Sequence, residues 1–474
     1  METCQYNVIS GTKRELSSKE IFWKPFCRQL FLCSALWMSY FSAGLCLGAP
    51  TVVIPQIRRQ ISHDAISEEM ASWLSSAMTY STLPWVIILL ICTRFVGRRP
   101  PYIFAIFASI ISFIILYKGT NVNHFLISQL IQGILFGCDL TVSTIMVSEY
   151  VWPKYRGTFL TLKAASLFWG VWVSNAIGTF FHWNYIGLFG LICSCYYVTV
   201  FFWSESPYWL ASQGRFEECI KGHRWLKGEG PDSEKELEKL LESQKEFLKN
   251  SMIRVTVSDR IKTFAQMFTL KEFYKPVLLS ILMFGIYHSL GKLVVGMYSI
   301  EMIKSMTDSE AAAYTGMLIV DGVSVLGLYI GCACSTFLKR RTLLLGENKI
   351  LTIALLSAYS MMVAGGPTIL STSIYGELVP LRFKSSGVTV IILVHFSTMA
   401  TLFKIAPLIF KTVGVRGTFL LYATVSSFFA YLLYRYLPET KDKTLQEIEA
   451  YFKDDKPQET VIKELTPFKT KEEC

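Results

Sequence analysis

Long apolar runs separated by short basic clusters set the reading of this chain. A helix needs about 20 predominantly apolar residues to cross the hydrocarbon core of a bilayer. The sequence supplies such runs near residues 30–54, 70–93, 101–118, 124–148, 158–181 and 183–203. A polar stretch occupies 204–274, and apolar runs return near 276–299, 313–338, 349–376, 386–410 and 416–437. The pattern predicts an all-α membrane protein with an N-terminal bundle in 1–203, a helical connector at 204–274, a C-terminal bundle in 275–440 and a polar tail at 441–474. Within the connector, Ser233-x-x-Glu236 has the form of a capping box. Leu237, Leu240, Leu241 and Leu248 then recur at helical spacing among Glu and Lys, which predicts a solvated helix on one face of the bundles.

The basic clusters give the topology. Arg94, Arg98 and Arg99, then Lys154 and Arg156, the connector, Lys339 to Arg341, Arg382 with Lys384, and the tail are all expected on the cytoplasmic side. Adjacent clusters then enclose two spans each, except between Arg341 and Arg382. That segment holds one clear span, 349–376, whereas two spans need about 40 apolar residues before any loop. Parity therefore predicts a plan of two six-helix bundles from which one helix of about 20–25 residues, the ninth, is missing, leaving about eleven spans. Both termini are expected in the cytoplasm, with the chain a multi-pass protein of the cell membrane.

Composition agrees and excludes other classes. Hydrophobic residues make up 52% and charged residues 17% of the 474, against about 25% charged in soluble domains. Mean hydropathy is +0.38. The net charge of +10 is spread in short clusters between apolar runs rather than over one soluble face, so no nucleic-acid partner is expected. The 12 cysteines are scattered; no paired CxxC framework exists, and neither a metal nor a cofactor is expected. Met1–Phe26 is polar without a signal-peptide core, so the first span is expected to insert as an uncleaved anchor.

Several local sequences resemble the sugar porters of the major facilitator superfamily, the group that includes insect facilitated trehalose transporters. SESPYWLASQGR at Ser204–Arg215 is similar to the family's PESPRWL signature after the sixth span, and PETKDKTLQEIE at Pro438–Glu449 to the signature after the last. Glu149-Tyr-Val-Trp-Pro153-Lys-Tyr-Arg156-Gly157 has a second-half partner in Glu377-Leu-Val-Pro380-Leu-Arg382-Phe-Lys384, the trace of an internal repeat. Gly97-Arg98-Arg99 is similarly echoed by Lys339-Arg340-Arg341.

The resemblance implies the major facilitator fold and transport of a small solute through alternating access, with no enzymatic activity. It implies a gate built from Arg98, Glu149, Arg156 and Glu205 in the first half and Arg340, Glu377, Arg382 and Glu439 in the second. Departures from the family are specific. Arg94, Thr336 and Lys339 stand at loop positions where the family has acids or Gly. The amide-bearing QQxSGxN run of the seventh span is Tyr287-His288-Ser289-Leu290-Gly291-Lys292-Leu293 here, and the fifth-span Gln aligns with Ala164. Pro367 of the family's GPxPW pattern remains, with Thr372 in place of Trp. Tyr287, His288, Tyr298 and Lys163 are therefore the candidate solute contacts.

Ionisable residues inside spans are costly and functional by default. Asp139 lies about 15 Å, and Lys163 about 10 Å, from the cytoplasmic ends of their helices, and the two are expected to pair. Lys292 and Asp321 each lie about 25 Å from theirs, with Lys404 at similar depth. Leu30–Ile57 contains no acid, where proton-coupled members of the family carry Asp, so the resemblance favours uniport. The reading is a monomeric facilitator for a sugar such as trehalose or a hexose. A transport-inactive paralogue acting as a solute sensor, and a porter for a charged organic solute, are the alternatives.

Overall fold

The computed structural model describes residues 18–61, 66–251, 268–307, 309–337 and 384–437, and every regular element among them is helical. Buried backbone polar groups must be satisfied inside lipid, and a helix does this within one segment. The first half comprises α1 (Ser18–Ile61), α2 (Glu68–Phe95), α3 (Arg99–Lys118), α4 (Val122–Cys138), α5 (Thr144–Tyr150), α6 (Pro153–Phe180) and α7 (Asn184–Tyr197). A π-helical turn, Asp139–Ser143, fuses α4 and α5 into one traverse. The connector supplies α8 (Pro207–Ser212), α9 (Phe216–Lys227) and α10 (Pro231–Ser251).

The second half comprises α11 (Lys271–Ser289), α12 (Lys292–Met297), α13 (Ser299–Thr307), α14 (Glu310–Phe337) and α15 (Lys384–Tyr436). Gly414, at φ 67°, divides α15 into two traverses. Eight helices among the described residues are long and apolar enough to cross a membrane. The runs near 158–181 and 313–338, expected as spans, form helices α6 and α14, but neither is among those eight. The expected span at 349–376, and the gap where a ninth helix is missing, lie outside the described residues.

Outward-facing apolar side chains fit lipid rather than water. Phe202 is 90% exposed, Phe180 72% and Leu420 71%. Each would cost about 25 cal/mol per Å² against water, a cost absent against acyl chains. Helix association inside lipid then relies on close packing of small residues. Gly44-Leu-Cys-Leu-Gly48 places two glycines on one face of α1, against α6. A Cβ on Gly44 would meet the Leu167 carbonyl oxygen at 2.1 Å, and a Cβ on Gly170 the Phe41 carbonyl oxygen at 2.1 Å. The two backbones are in contact, and no side chain fits between them.

The connector docks on the ends of α1, α2 and α6. Buried Gln29 of α1 is a clamp: its Nε2 donates to the Leu226 carbonyl at 3.2 Å, and its Oε1 accepts from the Trp152 amide at 3.1 Å. Arg28 Nη1 donates to the Trp225 carbonyl at 2.6 Å. Trp209 Nε1 donates to the Arg94 carbonyl at 3.3 Å, capping α2. The connector's own core is Leu210, Ala211, Cys219, Leu237 and Leu240.

The capping box expected at Ser233 and Glu236 does not form. α10 begins at Pro231, the Gly230 carbonyl accepts from the Glu234 amide, and Ser233 falls inside the first turn. Proline at the helix start needs no amide partner, which moves the start upstream. Glu236 instead accepts from the Tyr208 hydroxyl at 2.7 Å and from Lys227 Nζ at 2.8 Å. Burial pushes the Lys227 ammonium below its ordinary value, against the pull of Glu236. Burial, with Lys227 adjacent, pushes the imidazole of fully buried His223 down to about 4.

Two predictions follow from this packing. Gly170→Ala should destabilise the protein by about 3 kcal/mol or more, since the added methyl overlaps backbone. Gly157→Ala, with nothing within 4 Å of the added carbon, should be neutral or slightly stabilising; thermal unfolding in detergent compares the two. For His223, the folded value lies below the unfolded one, so its contribution is fully present above about pH 6.5 and is lost as pH falls toward 4. Limited proteolysis of the connector should accelerate across that window, and His223→Phe should flatten the dependence.

Candidate functional site

Between the two halves lies a cavity of about 150 Å³. At about 10–15 Å³ of such space per water, it holds on the order of ten water-sized groups, the scale of one pyranose ring with its hydroxyls. α1 contributes Tyr40, Leu47, Gly48 and Thr51; α4 and the π turn contribute Phe136 and Leu140; α6 contributes Ala164, Leu167, Phe168 and Val171. The second half contributes Phe284 and Tyr287 of α11, Val295–Met297 of α12, Val320, Asp321 and Ser324 of α14, and Ile392, His395, Phe396, Met399 and Phe403 of α15. The wall is mostly rings and aliphatic chains.

Two of the traverses flanking the cavity are locally interrupted. α11 stops at Ser289, and Gly291, at φ 72°, turns the chain into α12. The π turn in the fourth traverse leaves carbonyls without their ordinary helical partners. Lys163 Nζ donates to one of them, the Asp139 carbonyl, and to Thr144 Oγ1 at 2.8 Å. The carboxylate of fully buried Asp139 accepts from Ser39 Oγ at 2.6 Å, and the Tyr102 hydroxyl donates to Ser39 Oγ at 2.7 Å. Lys163 and Asp139 thus meet as expected, but through the backbone carbonyl. Lys163 Nζ also lies 4.9 Å from the centre of the Tyr40 ring, and that ring stands in the cavity wall.

The other candidates divide similarly. Tyr287 lines the cavity. His288 is buried behind it, its Nε2 2.9 Å from Nδ1 of His395. The Tyr298 hydroxyl donates to the Phe403 carbonyl at 3.2 Å and packs away from the space. Asp321 lines the cavity, and its Oδ2 accepts from Asn175 Nδ2 of the other half at 2.6 Å. Lys292 is the first residue of α12. Lys404 Nζ sits 3.9 Å over the Trp73 ring, across the seam. His395 and Asn175 were not picked out from sequence. Their signal was a lone polar or ionisable residue in an apolar run, the same signal that singled out Asp139.

Away from the connector, contacts between the halves close the cavity. Trp172 Nε1 donates to the Leu318 carbonyl at 3.1 Å at that end of the lining, while Trp169 Nε1 donates to the Tyr329 hydroxyl at 2.9 Å on the outer side of the seam, level with the cavity. Beyond them Arg59 pairs with Glu310 and stacks 5.3 Å over Tyr314, and Lys411 pairs with Glu68 at 3.2 Å.

At the connector end, three sequence motifs converge. Arg98 grips Glu149 with Nη2 at 3.0 Å and Nε at 3.4 Å, both side chains under one-fifth exposed. Ser206 Oγ donates to the same carboxylate at 2.5 Å. The Glu205 carboxylate accepts from the amides of Arg98 and Arg99 at 3.0 and 3.1 Å, where the start of α3 favours negative charge. Gly97, at φ 107°, leaves room for it: a Cβ there would lie 2.4 Å from Glu205 Oε2. Arg156 stands nearer the connector, where its charge acts on Lys227 and Tyr208, and its Nε is buried without a hydrogen-bond partner. Arg340, Glu377, Arg382 and Glu439 lie outside the described residues.

Comparison with known proteins agrees with this architecture. The chain resembles the proton:xylose symporter XylE bound to 6-bromo-6-deoxy-D-glucose with a TM-score of 0.67 at 18% identity, covering 90% of this chain and 99% of that one. The inward-open form of XylE from E. coli gives 0.64 at 16% identity, with coverage of 90% and 99%. Curated relatives include a facilitated trehalose transporter of Drosophila erecta, 24% identical over 82% of this chain and 48% of its own length. One from Apis mellifera ligustica is 23% identical over 85% and 83%. The chain thus spans about half the length of the Drosophila relative it matches. The family model described as "Sugar (and other) transporter" matches residues 40–346 and 322–452, two segments that overlap at 322–346. The chain therefore belongs to the sugar transporter family and has the major facilitator fold.

Proposed function

We propose that this chain is a facilitative transporter of a sugar-class solute, working by alternating access at the cavity between its halves. The observation that carries the reading is that cavity: one ring in scale, centred on the seam, and closed at the end away from the connector by contacts between the halves. Rocking about the seam exposes it to one side and then the other. The connector end faces the cytoplasm, because the basic clusters gather there. The relatives' names suggest trehalose. The cavity's scale favours a single hexose ring, and a disaccharide requires a wider form of the site.

In this reading Arg98, Glu149 and Glu205, with Arg156, act as the cytoplasmic gate of the first half, and Arg340, Glu377, Arg382 and Glu439 as its counterpart. The Arg98–Glu149 fork is geometrically specific yet partly solvated, so it biases the two-state balance without locking it. The doubled family match at 322–346 adjoins the stretch where parity lacks a span, which supports a helix missing from the second half. A charged-solute porter is the second reading, favoured by Asp321 in the wall.

Uptake of labelled D-glucose and trehalose into expressing cells tests the proposal, with the chain as given and with a ninth span restored from the transcript. Saturable, non-concentrative uptake by either form supports it. Surface-expressed protein that moves neither sugar in either form sinks it, and a panel of organic amines and acids then tests the second reading. Where uptake is measurable, Arg98→Ala should lower maximal flux about tenfold, equivalent to about 1.4 kcal/mol in the conformational balance. Glu149→Gln should act in the same direction, with surface expression held constant.

A further inference from the structure

The cavity wall is mostly rings and aliphatic chains, and one of those rings is an imidazole. His395 of α15 sits within 4.2 Å of Phe284 and 4.6 Å of Phe396, centre to centre, and lines the cavity. Its Nδ1 is turned away from the space and meets Nε2 of buried His288 at 2.9 Å. The two imidazoles lie nearly parallel, 4.6 Å apart and 30° from coplanar. His288 is 4% exposed, whereas His395 is only partly buried.

The shared bond constrains what His395 presents. A neutral imidazole carries one N–H and one bare nitrogen. If His288 donates across the bond, His395 accepts at Nδ1 and carries its proton on Nε2. If His395 donates, its Nε2 is bare and accepts. The pair therefore fixes Nε2 of His395 as a hydrogen-bonding atom on a mostly apolar wall, donating or accepting according to the tautomer the pair holds. A hydroxyl serves as either partner, which a cation or a carboxylate does not.

We infer that His395 is the solute-contacting, specificity-determining residue of the cavity, with His288 behind it as the positioning residue. This rests on the sugar-transport reading and names the substrate class: a pyranose that lays its C–H face on the Phe284, Tyr287 and Phe396 rings and offers one hydroxyl edge to His395. Of the other polar groups in the wall, Asp321 already accepts from Asn175, Ser324 donates to the Val320 carbonyl and Thr51 to the Met297 sulfur, so a fully hydroxylated hexose gives up more water than the wall replaces. The site therefore prefers deoxy sugars to fully hydroxylated hexoses.

Two measurements on the full chain test this. In uptake, His395→Phe should raise the KM for D-glucose at least about fivefold, the scale of one lost hydrogen bond, while leaving kcat largely intact. His288→Phe should do the same more weakly, and His288→Gln should restore it. A 6-deoxyhexose should compete better than D-glucose in the wild type and lose that advantage in His395→Phe. Unchanged KM in His395→Phe overturns the inference while the sugar reading stands.

The second measurement does not depend on transport. Diethyl pyrocarbonate acylates accessible neutral imidazoles, and mass mapping on protein in lipid nanodiscs distinguishes the six histidines. His395 should react and His288 should not, with exposed His124 and His182 as positive controls; D-glucose should protect His395 alone. If His395 stays unmodified while the controls react, the inference fails whether or not any sugar moves. If the wild type moves no sugar yet His395 reacts, the sugar reading fails, and with it the pyranose assignment.

Discussion

The constraint on which this structure depends is that no backbone amide or carbonyl may go unbonded inside lipid. It makes the chain helical wherever it is surrounded by acyl chains, and it confines irregular backbone to the interior. Both breaks in the traverses sit beside the central cavity: the π turn at Asp139–Ser143 and the turn at Gly291. The first is repaired from a neighbouring helix. Lys163 brings an ammonium to the freed Asp139 carbonyl and to Thr144, and the Asp139 carboxylate is held by Ser39, to which the Tyr102 hydroxyl donates in turn. A lysine and an aspartate that look like site residues in the sequence thus first serve the backbone, and reach the cavity only through the Tyr40 ring.

The same economy shapes the first bundle. α1 and α6 meet backbone to backbone at Gly44 and Gly170, and the connector is tied to that pair through Gln29 and Trp152. The Arg98, Glu149 and Glu205 cluster sits beside that pair, at the start of α3, the end of α5 and the approach to α8. The proposed rocking would therefore fall at the seam, where contacts are rings, a few indole hydrogen bonds and ion pairs, rather than within the bundle.

Much of the fold was legible because hydropathy reports lipid contact directly. The runs near 101–118 and 416–437 fall within a few residues of observed helices, since Gly, Pro and charge mark their ends. The cluster of Arg98, Glu149 and Glu205 was legible for another reason: all three carry charge at helix ends, and charge beside long apolar runs is conspicuous. The cavity was less so. Tyr287 and Asp321 were found, but Lys163 and Tyr298 turn away from the space, because which side of a helix faces the seam depends on packing between halves that one-dimensional pattern does not encode. Ser233 misled for a local reason, since the proline two residues earlier starts the helix first.

The ion pairs at the end away from the connector differ in kind from the polar contact inside the cavity. Arg59 and Glu310 are each about half exposed, and Lys411 and Glu68 about two-thirds exposed. Electrolyte screens charges so placed over about 8 Å at physiological ionic strength, but scarcely reaches Asn175 and Asp321 beneath them. Under the proposed rocking, the composition of the bathing fluid on that side thus becomes a term in the conformational balance. Dilute surroundings hold that face shut more firmly than concentrated ones, and a fluid that changes in salinity would change how readily the protein opens to it before any solute has bound.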